Sequence, residues 1–194
     1  MASITRCLRN VNFGRSILAL GVLLCSWAAA AQGIHVKSAQ LDPNSGEYYL
    51  NANFEVDLTP TLEEALNRGV VLHFIFEFDL ILPRWYTLYL WNKRVVEYEQ
   101  HYRLTYNALT RQYRLSLGAL HQGFDTLEEA LAVLGRLPRR SVFAIDDIAQ
   151  GVVYEAQVRM RLDTAQLPKP FQVDALASRD WNLSSGWYRW TLTR

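Results

Sequence analysis

Glu77 and Asp79 stand two residues apart, as do Glu97 and Glu99, with His101 two further on. On an extended strand this spacing puts side chains on one face about 6.6 Å apart. At such a distance one carboxyl could protonate a leaving group while a second acts from the other side of the bond. The same alternation is also how the wetted face of a half-buried strand is written, so a weakly marked hydrolase built on Glu97, Glu99 and His101 is the third of three functional readings. Other chemistry finds less support. His73 and Glu77 would converge on a helix, but on a strand they are about 13 Å apart, too far to share a metal. Asp146-Asp147, with Gly151 nearby, lacks the alternating oxygen ligands of a calcium loop and reads as a turn. There is no Gly-x-Ser-x-Gly elbow, no His-Glu-x-x-His and no phosphate-cradling glycine loop. The sequence predicts no metal and no cofactor, and the expectation is a non-enzymatic protein.

Aromatic residues are the more unusual feature. Trp85, Trp91, Trp181, Trp187 and Trp190 accompany many Tyr and Phe. Indoles on an open sheet make stacking platforms for sugars, and an apolar patch makes a partner surface; large rings filling a core is the competing explanation. Trp187 and Tyr188 are adjacent, so on one strand they cannot both face inward. Trp187, Tyr188, Trp190 and Trp181 are therefore the candidate surface residues for binding, together with Glu97, Glu99 and His101.

These residues are positioned by strands. Leu50, Ala52, Phe54, Val56 and Leu58 alternate with Asn51, Asn53, Glu55 and Asp57, a half-buried strand. Residues 70–82 are apolar on nearly both parities, as expected of a central strand, and Pro83 ends it. Trp85–Trp91 is expected to return as its paired strand. Val96, Tyr98, Tyr102, Leu104 and Tyr106 mark one face of a long strand, and Tyr154, Ala156, Val158, Met160 and Leu162 one face of another. Between them the hexapeptide Thr61-Leu62-Glu63-Glu64-Ala65-Leu66 recurs as Thr126-Leu127-Glu128-Glu129-Ala130-Leu131. Each copy reads as a helix start, a Thr cap with Glu three residues on, and Gly69 and Gly135 supply the stops. The prolines of 167–171 predict an extended crossing, and 186–194 a closing strand. The fold class predicted is mainly β (α+β): an antiparallel β-sandwich-like domain with two short helices. The halves, about 34–91 and 95–163, read as a pseudo-twofold repeat, with chance recurrence of a common helix start as the alternative.

The first residues are of another kind. Arg6, Arg9 and Arg15 precede an uncharged apolar run at 16–27 that leads into Ala28-Ala29-Ala30-Ala31, the order of a secretory signal peptide, cleaved after Ala30 or Ala31. An uncleaved anchor and a lipoprotein at Cys25 are the alternatives; the run is short for a span of about 20 residues, and Leu24 is large for lipid attachment. The expected layout is a signal peptide over 1–31 and a single domain over 32–194, periplasmic or secreted, with no membrane insertion after cleavage. Cys7 and Cys25 leave with the leader, so packing alone must hold the exported part together. The leader takes three of the 20 Lys and Arg and none of the 19 Asp and Glu, leaving 17 against 19, a net −2. Such a balance offers no basic footprint for nucleic acid or anionic lipid. Asn182-Leu183-Ser184 matches a glycosylation sequon, a three-residue pattern that chance also supplies.

Several strings are specific beyond composition: Arg84-Trp85-Tyr86, the run from Leu104 to Tyr113, Leu127 to Leu131, Leu167-Pro168-Lys169-Pro170, and Asp180 to Ser185. Over most of the exported chain these resemble a proteobacterial exported family of unknown function, domain of unknown function 4390. The resemblance implies a Gram-negative periplasmic setting and no established activity. Because such genes often neighbour a membrane sensor kinase, it also implies an accessory role in signalling. The functional expectation is an exported binding or interaction protein with an envelope protein partner; a carbohydrate- or envelope-ligand-binding module is the second reading.

Overall fold

In the strand containing Leu50, every second side chain leaves water. Tyr48, Leu50, Ala52, Phe54 and Val56 are buried, while Asn51 and Glu55 stay exposed. The computed structural model describes residues 33–83 and 93–194; the leader and the Trp85–Trp91 strand expected from sequence lie outside the described residues. Nine strands are described: β1 (Ile34–Asn44), β2 (Glu47–Val56), β3 (Leu72–Leu82), β4 (Lys93–Asn107), β5 (Gln112–Leu117), β6 (Leu120–Phe124), β7 (Arg136–Ala144), β8 (Val153–Leu162) and β9 (Tyr188–Thr193). They form two antiparallel sheets, a small one ordered β1-β2-β7 and a large one ordered β6-β5-β4-β3-β8-β9.

The core lies between the sheets. Phe74, Phe76 and Phe78 of β3 are fully buried. Phe76 meets Phe54 of β2 edge to face at 5.7 Å, and Phe78 stacks on Phe143 of β7 at 6.2 Å. Each ring removes an apolar surface worth about 2–3 kcal/mol from water, which is how a chain with no cysteine after residue 25 holds two sheets together. The mainly β, α+β class expected from alternation is what is found.

Among the described residues three α-helices connect the strands: α1 (Pro60–Asn67), α2 (Leu127–Leu134) and α3 (Lys169–Ala177). The caps differ from the expectation in instructive ways. Thr126 does cap α2, accepting from the Glu129 amide at 3.3 Å. In α1 the cap is Thr59 rather than Thr61, accepting from the Leu62 amide at 3.3 Å. Pro60 fits the first helical position, where no amide is required, so the helix starts two residues earlier than the hexapeptide suggests, and Glu64 pairs with Arg68 instead of reaching back. Gly69 ends α1 with φ +90° as predicted, but Gly135 keeps a right-handed φ of −70°. Its requirement is closeness: a Cβ there would sit 2.2 Å from the Phe54 carbonyl oxygen.

The expected extended crossing at 167–171 is instead the entry to α3. Pro168 precedes the helix and Pro170 occupies its first turn, positions whose amides have no helical partner to lose. The segment at 120–124, not assigned to any element from the sequence, pairs with β5 as β6. The strands flanking Asp146 to Gly151 do not pair with each other. β7 joins β2 in the small sheet, and β8 inserts between β3 and β9 in the large one.

Candidate functional site

The outer face of the large sheet gathers the acids singled out above. Register places Glu99 directly across from Glu77, Glu97 across from Asp79, and His101 across from Ile75. On the other side of β3, strand β8 sets Arg161 across from Ile75, Arg159 across from Glu77 and Gln157 across from Asp79. Beyond it β9 sets Arg189 across from Gln157.

Position within the sheet separates these residues into two groups. Glu77 and Asp79, on the central strand, are only 7% and 4% exposed, because longer side chains from both neighbours fold over them. Glu97, Glu99 and His101, one strand out, remain exposed. Both oxygens of Glu77 are occupied: Arg161 Nε donates to Oε1 at 3.0 Å, and Arg159 donates to Oε2. Asp79 accepts from Gln157 Nε2 at 3.1 Å, and Gln157 in turn accepts from Arg189 Nε at 3.0 Å. Arg94 bridges Asp79 and Glu97. His101 Nε2 faces Glu99 at 3.7 Å.

The result is a charge-compensated plate rather than a pair of working acids. A carboxylate with both oxygens held by guanidinium groups must give up charge-assisted bonds before it can take a proton from a substrate. Among the described residues no group of three or more His, Cys, Asp or Glu could hold a metal ion, and every buried side-chain nitrogen and oxygen has a hydrogen-bond partner.

Asp79 shows what burial costs. Burial is the largest influence and pushes its carboxyl above the ordinary value of 3.8; Glu97 and Glu77 add to this, against the Gln157 hydrogen bond and Arg94. The folded state therefore holds this proton more tightly than the unfolded chain does. Its contribution favours folding fully below 3.8 and is lost as pH rises through the raised folded value. Asp79→Asn keeps an oxygen to accept from Gln157, so at pH 7 stability is expected to stay within about 0.5 kcal/mol or to rise slightly, and the acid-side gain should vanish. Urea denaturation at pH 7 and pH 4 measures both; a loss well above that at pH 7 would mean the charge itself is needed.

The aromatic candidates separate as well. Trp181 is 3% exposed and packs on Phe171 at 5.4 Å, so it belongs to the core and not to a surface. Trp187 is half-buried under Arg159, whose guanidinium lies 4.3 Å from the ring centre. The stacking face a sugar would use there is occupied by a cation. Tyr188 and Trp190, 5.9 Å apart, lie on the opposite side of β9, aligned with Val158 and Ala156. Trp85 and Trp91 lie outside the described residues. Sequence reading missed Arg159, Arg161 and Gln157, although they share one parity of the β8 alternation; their importance depends on which strand β8 joins.

No curated protein and no solved structure matches this chain. Residues 31–191 match the model of the family described as a domain of unknown function, DUF4390, and the chain belongs to that family.

Proposed function

We propose that this chain is an exported, non-enzymatic binding domain of the bacterial envelope, directed there by its 1–31 leader, and that it engages a protein partner along β9. One observation carries this reading. β9 is the terminal strand of the large sheet among the described residues, and its inner side holds Tyr188, 44% exposed, beside half-buried Trp190 and Leu192. A terminal strand offers a row of unpaired backbone donors and acceptors, and strand addition there would cover these side chains as well. The compensated state of Glu77 and Asp79 argues against hydrolysis, and the cation over Trp187 argues against a sugar platform. An accessory role beside a membrane signalling system fits such a binding surface.

The test is capture with crosslinking from a periplasmic extract. Tyr188→Lys is expected to lower recovery of the partner at least tenfold, while Leu109→Lys, at a site 96% exposed elsewhere, leaves it unchanged. Absence of any reproducible protein partner would overturn the reading.

A further inference from the structure

The two sheets differ in width, three strands against six, so the large sheet overhangs the small one at the β5–β6 hairpin as well as at β9. Helix α2 covers part of that overhang by burying Leu127, Ala130 and Leu134. The remainder is a groove of about 220 Å³ floored by Leu115, Leu117 and Tyr102. Leu120 at 72% exposure and Val133 at 39% form its apolar lips. Pockets that enclose small molecules run to about 300–1,000 Å³; this one is the size for an anchoring side chain.

The rim is basic. β7 carries Arg136, Arg139 and Arg140 and no acid; Arg139 is stacked on the Tyr49 ring and does not line the groove. Arg136 and Pro138 of β7 line the groove, and Arg140 follows two residues beyond Pro138 on the same strand, with a weak electrostatic influence on Tyr102 of the groove floor. No carboxylate among the described residues is in ion-pair contact with any of the three, whereas Arg159, Arg161, Arg189 and Arg194 all have acidic partners. The edge itself is poorly suited to strand addition. Pro138 lacks a donor, and the β2–β7 pairing is broken by two register shifts. Recognition here would come from an inserted side chain and from charge.

We propose that this groove is a second binding site, independent of β9, for an acidic segment of a partner protein that places one bulky aliphatic or aromatic residue between Leu120 and Val133 and its carboxylates against Arg136 and Arg140. The probes are fluorescent peptides with a central Leu, Ile, Phe or Trp flanked by Asp and Glu, titrated into the purified exported chain. Saturable binding is expected for at least one, weakened at least tenfold by Leu120→Asp and by the pair Arg136→Glu and Arg140→Glu. The same peptides with Lys in place of Asp and Glu should bind the double variant better than the parent. Tyr188→Lys should change nothing here, so failure of this site and failure of the β9 reading are separable. Circular dichroism confirms that the variants fold. Lack of saturable binding by every peptide, indifference to both groove variants, or tighter binding to phosphatidylglycerol vesicles or to oligonucleotide than to any peptide would each overturn the proposal.

Discussion

Glu77→Gln is expected to lower stability by about 3 kcal/mol, since removing one partner of a buried ion pair strands the charge that remains. Here two charges are stranded. Arg159 and Arg161 both converge on this carboxylate, with side chains only 27% and 33% exposed. Their partial contact with water keeps the cost toward the low end of the range for such losses. A glutamine amide would also place a donor where two guanidinium groups already donate. In a domain of this size the loss corresponds to a fall in Tm of roughly 6–12 °C. Glu99→Gln, directly across on β4 and exposed, should stay within about 0.5 kcal/mol. Thermal and urea denaturation of the two variants side by side measure the contrast; similar losses for both would mean that the plate is ordinary surface charge.

Gly135→Ala should be comparably severe, with a loss of about 3 kcal/mol from overpacking. The new methyl would meet the Phe54 carbonyl oxygen at 2.2 Å, a backbone atom and not the end of a flexible side chain able to yield. Relief requires moving α2 from β2, which would strain the Phe54 amide to Gly135 carbonyl bond of 2.7 Å. Gly123→Ala is the matched control. Its nearest neighbour would be the side-chain oxygen of Gln112 at 3.8 Å, an ordinary van der Waals contact, and its φ is not in the left-handed region. A small gain from the restricted unfolded chain, up to about 1 kcal/mol, is expected there. Equal tolerance at both positions would show that the approach of α2 to β2 has slack.

Burial of alternate residues in β2 and β4, and of the apolar residues on both faces of β3, follows from patterns visible in the sequence, because a strand's side-chain period of two requires no knowledge of its neighbours. The α2 cap was legible for the same reason: Thr126 and the Glu129 amide are three residues apart in the chain. The α1 cap was displaced by a neighbouring Thr and a Pro that competed for the same turn, and the α3 helix was hidden because proline is read as a breaker although helical first turns accept it.

What the sequence determined by itself is therefore periodic and local: the strands β2, β3, β4 and β8, which parity of each is apolar, and where α2 begins. Tertiary structure alone decided that β8 lies beside β3 and not beside β7, and that single pairing changed Glu77 and Asp79 from prospective acids into the buried centre of a compensated plate. It also decided that Gly135 must approach Phe54, and that a three-stranded sheet leaves both flanks of a six-stranded one overhanging. The physical reason is common to all three. Strand pairing and sheet width are set by contacts between residues far apart in the chain, whose joint burial favours one register over many, and no window of sequence contains both partners.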